Sequence, residues 1–472
     1  CLSCLSGLAR RPVLNSATHL MLDRAMHRPM FLTEKGQIST ADFLSHVAAL
    51  AERLPDKPYA INYCENRYQF AVTFFAVLLR GQCNVLLPGH QAGLLKGAAR
   101  QFSDAYVVTA GSLNESPLPV FDMSGVKRNS GNTLVPLLPA DQLAAIVYTS
   151  GTTGISKSIE KTVGSLFSGA KINSGVLHES LSLGRNPAIV ATAPPWHMYG
   201  LEWSLLVSCV SDIAIFSGST LFPGDVIAAL KLVGEDNCFV STPHHLRALY
   251  RSGMDISLVR HLLSATAPLN DSLAMDLLDS IRGDLLEIYG CSEAGSFACR
   301  SSVAAEWQQY FRCFAEFTMI EEDGAAILSA PHLAHPVKLA DELCFSENGG
   351  FSIVGRDSDL IKVAGKRASL ADLNATLLSL ESVVDGVVLP PQTEGGRLLI
   401  LVVLQDGDAA AVEKALAGLI EQSFLPRRVR QVDALPRDET GKLKQVPLQA
   451  LLQAEGVPVK SGKTQDEVSG LA

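Results

Sequence analysis

Short apolar runs alternate with amphipathic stretches along most of the chain. Residues 59–63 predict a strand, residues 67–79 an amphipathic helix that ends before Gly81, and residues 84–87 the next strand. Further short strands are predicted at residues 106–109, 188–193, 213–216 and 239–240, with helical stretches between them. Such alternation favours an α/β fold, with layers of helices on mainly parallel sheets.

The pattern restarts after residue 357 as a compact α+β unit. A helix is predicted at residues 370–380, strands at 383–389 and 398–403, and a second helix at 409–422. We therefore expect a large N-terminal domain of layered α/β type at residues 1–357 and a small mobile C-terminal α+β domain at residues 358–456. The polar segment 457–472 is expected to be disordered.

Composition bounds the function. A chain of 472 residues needs more than one core, and 47% hydrophobic with 18% charged residues is typical of a globular protein. A formal net charge of −9 argues against a nucleic-acid surface. The apolar region 198–216 contains Glu202 and Asp212, so it predicts a buried helix–strand pair rather than a membrane span.

Nothing resembling a signal peptide is present, and the ten cysteines are scattered, which favours a cytoplasmic protein with reduced thiols. The close pair Cys1 and Cys4 is a poor zinc site without two further ligands. Because the chain begins with Cys1 rather than Met, we expect a clipped or mis-assigned start.

One segment predicts phosphate chemistry. At residues 146–158, IVYTSGTTGISKS, an apolar strand runs into hydroxyls, glycines and a lysine. Backbone N–H groups, hydroxyls and one cation at a strand end can hold a phosphate chain. The candidate residues are Thr149, Ser150, Gly151, Thr152, Thr153, Gly154 and Lys157. The run is nearly a Walker A loop, but Ser156 occupies the position of the second glycine.

Five further segments follow in a fixed order. They read PPWHMYG at 194–200, SATAPL at 264–269, IYGCSE at 288–293, GRDSDLIKVAG at 355–365 and LPRDETGKL at 435–443. Together with YTSGTTGISK at 148–157, they resemble the motifs of the adenylate-forming superfamily, which contains acyl- and aryl-CoA synthetases, peptide-synthetase adenylation domains and luciferases. The departures are Ser156 for proline, Ser358 for the usual hinge Asp or Lys, and Asp372 for glutamate.

The resemblance implies a role for each matching residue. Loop 149–157 would hold the ATP phosphates, Glu293 would hold Mg²⁺, and Lys442 would be the catalytic lysine, with His197 as a further catalytic candidate. The remaining nucleotide contacts would be Thr266, Ala267, Tyr289, Ser292, Asp341 and Arg356. The acyl pocket would be lined by Trp196, His197, Gly200, Thr242, Pro243 and Ala265. Ser358 would be the hinge of the small domain, and Lys362 and Gly365 would line the thiol channel.

The chemistry implied has two half-reactions. A carboxylate attacks the α-phosphorus of ATP to give an acyl-adenylate and pyrophosphate, and a phosphopantetheine thiol then displaces AMP. The acceptor stays open between CoA, for which Lys366 and Arg367 offer a basic patch, and an acyl carrier protein, for which Arg427, Arg428 and Arg430 are candidates. A looser likeness to stand-alone ligases of bacterial aryl-polyene and fatty-acid-like clusters favours an aromatic or medium-chain acid.

Amino-acid substrates rank lower, because no aspartate falls in the expected pocket wall. Two other classes stay open. A phosphate-loop NTPase would release ADP rather than AMP, and a non-catalytic descendant would only bind an adenylate or a carrier protein.

Overall fold

The structure is a computed structural model that describes residues 18–19, 24–113, 115–128, 135–148, 158–303, 306–322, 324–356, 360–363, 366–391, 397–426 and 428–456. Within these ranges it contains two large sheets, several short antiparallel ribbons and a small C-terminal α+β unit. The expected fold class is confirmed.

The first large sheet has six strands and is parallel except at one edge. In spatial order its strands are Ser158–Thr162, Leu143–Tyr148, Cys83–Leu86, Tyr59–Asn62, Ala105–Thr109 and Val120–Asp122. The antiparallel edge strand Ser158–Thr162 returns from the predicted phosphate loop beside Leu143–Tyr148. The helices of this part are Thr40–Ala51, Arg67–Leu79 and Ala92–Gln101.

Helix Arg67–Leu79 forms where its pattern predicts it, and local signals fix both of its ends. The side chain of Asn66 accepts hydrogen bonds from the backbone N–H groups of Tyr68 and Gln69, which caps the first turn. After the helix, Gly81 takes a φ of 72°, which favours glycine. Phenylalanines on this helix are fully buried in the core beneath the first sheet.

The second large sheet has ten strands. In spatial order nine of them are Glu306–Trp307, Gly295–Val303, Asp284–Cys291, His261–Ser264, Asn237–Ser241, Ala188–Ala191, Ala214–Phe216, Pro29–Thr33 and Gly36–Ser39, and Arg312–Cys313 pairs with Gly295–Val303. The six central strands, from Asp284–Cys291 to Pro29–Thr33, are mutually parallel. The associated helices are Val163–Ser180, Met198–Leu201, Val207–Cys209, Pro223–Val233, Pro243–Arg251 and Asp271–Ser280, with a π-helical turn at Glu202–Leu206.

The apolar region 198–216 is the expected buried helix–strand pair. Its helical part ends at Cys209 and its strand is Ala214–Phe216. No helix among the described residues combines the length and apolar character that a membrane crossing requires. The described cysteines are all free thiols.

A stretch of antiparallel structure follows the second sheet, and the alternation pattern did not predict it. It comprises the ribbon Thr318–Glu322, Ala325–Ser329 and Val337–Lys338, and the pair Asp341–Phe345 and Phe351–Arg356. A short pairing of Thr18–His19 with Leu137–Leu138 stands apart from both sheets.

The C-terminal unit has its own core. Its strands are Leu360–Val363, Lys366–Ser369, Val383–Leu389, Leu399–Leu404 and Arg428–Gln431, and its helices are Leu370–Ser379, Ala409–Ala417 and Gln445–Ala454, with a 3₁₀ turn at Gln422–Phe424. Leu377 and Leu416 are fully buried between these elements. The helix predicted at residues 409–422 was too long, because Gly418 caps it and a separate 3₁₀ turn follows. The separate core favours the two-domain division, whose boundary stays a prediction.

Candidate active site

Four loops of the candidate site leave neighbouring parallel strands at the same edge of the second sheet. They follow Ala188–Ala191, Asn237–Ser241, His261–Ser264 and Asp284–Cys291, strands that pair in parallel with one another. The carboxyl edge of an open parallel sheet is where ligands bind in such folds. Sequence segments far apart in the chain, 194–200, 242–243, 264–269 and 288–293, are thereby brought together.

The predicted adenine and ribose residues lie in contact with each other. The Tyr289 hydroxyl donates a hydrogen bond to Asp341 Oδ2 at 2.6 Å. The Tyr289 ring packs edge-on against Phe297, with a centroid separation of 4.8 Å, and lies beside Phe351. The strand register places Asp341 directly opposite Arg356, whose backbone alone is described. Tyr289 on the second sheet therefore meets the antiparallel pair of strands that carries Asp341 and Arg356.

Backbone strain marks the loop after His261–Ser264. Thr266 has a φ of +81°, and it is the one non-glycine residue with a positive φ in the part of the chain that the structure describes. A β-branched residue in this region is strained, and such strain concentrates at binding sites. The buried Oγ atoms of Thr266 and neighbouring Ser264 have no hydrogen-bond partner among the described residues. Unpartnered buried hydroxyls beside a strained backbone fit a polar ligand at this strand end.

A buried ion pair, which the sequence patterns did not reveal, holds this loop. Arg300 Nε donates to Glu287 Oε2 at 2.6 Å, and the other oxygen of Glu287 accepts from the backbone N–H of Leu269 at 2.8 Å. Burial raises the pKa of Glu287, and the charge of Arg300 opposes that rise. The pair ties the loop around Thr266 to two strands. Its only sequence signal is a glutamate on an otherwise apolar strand.

Ser292 and Glu293 occupy the turn between strands Asp284–Cys291 and Gly295–Val303. The buried Lys161 Nζ donates a hydrogen bond to the backbone carbonyl of Glu293 at 2.7 Å. Lys161 lies on the strand that returns from the predicted phosphate loop, so this contact links the phosphate region to the turn of Glu293. The sequence patterns did not single out Lys161.

Aromatic rings pack around Trp196, the neighbour of His197 in the sequence. His90 packs perpendicular to Trp196, with ring centroids 4.5 Å apart, and Phe70 lies on the same indole at 6.2 Å. The Nε2 atom of His197 is buried without a partner among the described residues. Burial lowers the pKa of His197 to about 4, with Asp438 opposing and Lys442 adding to the shift. The imidazole is therefore neutral near pH 7 and offers a hydrogen bond rather than a charge.

The other predicted pocket residues have clear packing roles. A Cβ at Gly200 would lie 1.9 Å from the carbonyl oxygen of Pro194, so glycine is required for the close approach of two backbone segments. Thr242 is fully buried and caps helix Pro243–Arg251, with its hydroxyl 2.9 Å from His245 Nδ1. Ala265 is buried at the end of its strand. Contact of these residues with an acyl group stays a prediction.

The lysine loop, residues 435–443 of the C-terminal unit, lies against the large domain. Asp438 Oδ1 accepts hydrogen bonds from the backbone N–H groups of Thr440 and Lys442, both at 2.9 Å, which shapes the loop. Gly441 has a φ of +85°, and a Cβ there would lie 2.4 Å from His244 Cβ. The charge of Lys442 adds to the lowering of the His197 pKa.

The same helix that carries His244 makes a second contact with the C-terminal unit. Arg251 donates to the backbone carbonyls of Val383 and Leu380, the latter at 3.4 Å. The two domains therefore meet along helix Pro243–Arg251. This arrangement places the lysine loop over the carboxyl edge of the second sheet.

Several predicted residues lie outside the described residues. These are Thr149, Ser150, Gly151, Thr152, Thr153, Gly154, Ser156, Lys157, Ser358, Gly365, Arg427 and the tail 457–472. Lys362, Lys366 and Arg367 are described for their backbone alone. Their predicted roles remain predictions.

A comparison with known protein families shows to which of them the chain belongs. The model of the AMP-binding enzyme family matches residues 21–313, more than half of the chain. The chain belongs to this family. The resemblance to the adenylate-forming superfamily is thereby confirmed.

Curated relatives of this AMP-binding enzyme are distant in sequence. A 3-hydroxybenzoate–CoA ligase of Aromatoleum sp. (strain CIB) is 24% identical over 415 residues, covering 75% of this chain and 77% of that ligase. The 4-coumarate–CoA ligase-like 6 protein of Arabidopsis thaliana is 25% identical over 378 residues, covering 69% of this chain and 65% of its own length.

Solved structures share the fold over nearly the whole chain. ATP-bound MatB from Rhodopseudomonas palustris gives a TM-score of 0.76 at 19% identity, covering 92% of this chain and 97% of MatB. The AMP complex of O-succinylbenzoate coenzyme A synthetase (MenE) from Bacillus subtilis gives 0.76 at 18% identity, covering 90% and 95%. Apo MatB from the same organism gives a TM-score of 0.63 at 18% identity.

Proposed function

We propose that this enzyme activates an aromatic or medium-chain carboxylic acid as its acyl-adenylate, with release of pyrophosphate, and passes the acyl group to a phosphopantetheine thiol of CoA or of an acyl carrier protein. The observation that carries the proposal is the position of the lysine loop. Gly441 lies against His244, in the first turn of a helix of the large domain, which supports Lys442 as the residue that the C-terminal unit adds to the site.

The first half-reaction makes one bond and breaks another at the α-phosphorus. A carboxylate oxygen forms the new O–P bond while the bond to pyrophosphate breaks, and negative charge gathers on the phosphoryl oxygens. Catalysis therefore depends on placed cations and donors more than on a protein nucleophile. Lys442 would be the cation that meets both the carboxylate and the α-phosphate, and the lysine loop would exclude water from the adenylate.

The nucleotide would lie between the Thr266 loop and Tyr289. The unpartnered hydroxyls of Ser264 and Thr266 offer polar contacts there, and Asp341, already paired with the Tyr289 hydroxyl, suits ribose hydroxyls. Glu293 would hold Mg²⁺ together with phosphate oxygens. One carboxylate plus nucleotide oxygens is a common Mg²⁺ site, and no group of three or more His, Cys, Asp or Glu side chains among the described residues could hold a metal without the nucleotide.

Aromatic acids are favoured by the pocket wall and by the relatives. Trp196 and His90 offer flat ring surfaces, and the neutral His197 offers one polar edge. The Aromatoleum relative and the Bacillus structure are named as ligases of aromatic acids, which supports the same substrate class here. The family match supports adenylation over phosphate-loop NTPase chemistry.

The test is carboxylate-dependent exchange of labelled pyrophosphate into ATP, followed by transfer to CoA and to a phosphopantetheinylated carrier protein. We expect exchange with one class of acid and AMP as the final nucleotide product. The variant Lys442→Ala should still bind ATP but lose most of the exchange. Unchanged exchange in Lys442→Ala, or release of ADP instead of AMP, would overturn the proposal.

A further inference from the structure

A pair of buried charged residues lies beneath the candidate nucleotide site and has no role in the chemistry just described. Lys161 and Glu202 are 6% and 4% exposed. Charged side chains are rarely buried unless they are paired and hydrogen-bonded. Both residues contact the turn that carries Ser292 and Glu293.

Lys161 contacts the middle of this turn. It lies on strand Ser158–Thr162, and its Nζ donates to the Glu293 carbonyl at 2.7 Å. An ammonium-to-carbonyl bond in a water-poor setting is stronger than a neutral one. The bond fixes the backbone of the residue whose carboxylate would meet the metal.

Glu202 contacts the end of the same turn. Its Oε2 accepts from the Ser296 hydroxyl at 2.7 Å and from the Ser296 backbone N–H at 3.2 Å. Trp203 Nε1 donates to that hydroxyl at 2.8 Å, so Ser296 is held from two sides. A Cβ at Gly295 would lie 2.3 Å from Glu202 Oε1, so the carboxylate packs directly on the turn.

The two contacts bracket Glu293. Lys161 fixes its carbonyl, and Glu202 fixes the residue three positions later. The opposite charges also attract each other, since Glu202 opposes the lowering of the Lys161 pKa by burial. Glu202 begins a π-helical turn, a distortion that is frequent at functional sites.

We infer that Lys161 and Glu202 are positioning residues that hold the Ser292–Glu293 turn so that the Glu293 carboxylate faces the magnesium–nucleotide complex. The inference rests on the proposed function. Outer contacts of this kind fix the orientation of a metal ligand, and their loss typically weakens metal binding by about 10- to 100-fold.

The test uses Lys161→Met, which keeps the length of the stem but removes the donor, and Lys161→Arg, which keeps a cationic donor. Amide hydrogen exchange in the nucleotide-free protein should become faster at residues 291–296 in Lys161→Met and recover partly in Lys161→Arg. The Mg²⁺ concentration needed for half-maximal ATP binding, read by calorimetry, should rise about 10-fold in Lys161→Met. Glu202→Met, which removes the acceptor, should speed exchange at Ser296 in the same way.

The matched control is Arg24→Met, which also removes a buried cation. Arg24 donates to the carbonyls of Ser211 and Ile213 at 2.7 and 2.8 Å, before the amino end of strand Ala214–Phe216 and so away from the candidate site. It should lower the melting temperature without changing Mg²⁺ dependence or exchange at residues 291–296.

Two outcomes would overturn the inference. One is unchanged amide exchange at residues 291–296 in Lys161→Met, and the other is an equal change of Mg²⁺ dependence in Arg24→Met. Failure of the proposed function would look different, because the wild-type protein would then bind ATP without catalysing pyrophosphate exchange with any acid.

Discussion

Substituting Gly441 by alanine should weaken docking of the lysine loop on the large domain more than it weakens folding. Gly441 has a φ of +85°, and a Cβ there would lie 2.4 Å from His244 Cβ and 2.8 Å from its Cγ. His244 lies in the first turn of helix Pro243–Arg251, so its Cβ cannot move without the helix. The clash exists only when the C-terminal unit is docked on the large domain.

The size of the effect follows from two terms. An L-residue in the left-handed region costs roughly 1–2 kcal/mol. Replacing any glycine of similar φ by alanine carries the same cost. Overpacking against His244 adds about 1–3 kcal/mol, which corresponds to a loss of about 5- to 150-fold in the docked population. Only the overpacking against His244 should lower the rate of adenylation.

Gly407→Ala is the matched control, because Gly407 lies in the same domain, has a φ of +90° and has open space where the new methyl group would lie. Pyrophosphate exchange should fall about 5- to 150-fold further in Gly441→Ala than in Gly407→Ala. Melting temperatures should fall by similar amounts in both. Adding His244→Gly to Gly441→Ala should recover part of the exchange.

Equal exchange rates in Gly441→Ala and Gly407→Ala would refute this reasoning. The contact between the loop and His244 would then not belong to the state that forms the adenylate. A loss of exchange that His244→Gly does not relieve would assign the effect to backbone strain next to Lys442 instead.

Three further changes test other parts of the account. Tyr289→Phe removes the hydroxyl that orders Asp341 and should weaken ATP binding, measured by calorimetry, about 10-fold. An unchanged affinity would show that Asp341 does not contact the nucleotide. Arg300→Met leaves the buried Glu287 carboxylate without its cationic partner and should cost about 3–5 kcal/mol in urea unfolding. Adding Glu287→Gln should recover part of this loss. Burial lowers the pKa of His197 from 6.5 to about 4. Between these values the unfolded chain binds a proton that the folded chain does not, so stability is lost as the pH falls from 6.5 to 4. Unfolding measured at about pH 7, 5.5 and 4.5 should show a smaller loss of stability for His197→Asn than for the wild type, and an equal loss would contradict the shift.

Periodicity predicts the parallel layers of this fold well, because apolar residues within each helix or strand mark the face that it buries. Helix Arg67–Leu79 and strand Val383–Leu389 have the predicted bounds, since caps and apolar runs lie within the elements themselves. The antiparallel ribbons between residues 318 and 356 were missed. In strands Thr318–Glu322 and Asp341–Phe345 the residues are exposed or half-buried, so an apolar run does not mark them.

The site shows the same division between local and distant information. Motifs predict Tyr289, Asp341 and Lys442, and the structure places Tyr289 on Asp341 and the loop that carries Lys442 against His244. The supporting residues Glu287, Arg300, Lys161 and Glu202 carry no motif. Each acts through a partner that is distant in sequence, and such pairings become visible only when the strands are assembled.

Exchange of labelled pyrophosphate into ATP, measured with Mg²⁺ across a panel of aromatic, fatty and amino acids, tests directly whether this chain forms an acyl-adenylate. We expect exchange with aromatic or medium-chain acids and its near-complete loss in Lys442→Ala, with ATP binding retained. Protein that binds ATP but catalyses no exchange with any acid would contradict it and leave a protein that binds adenylates without forming them.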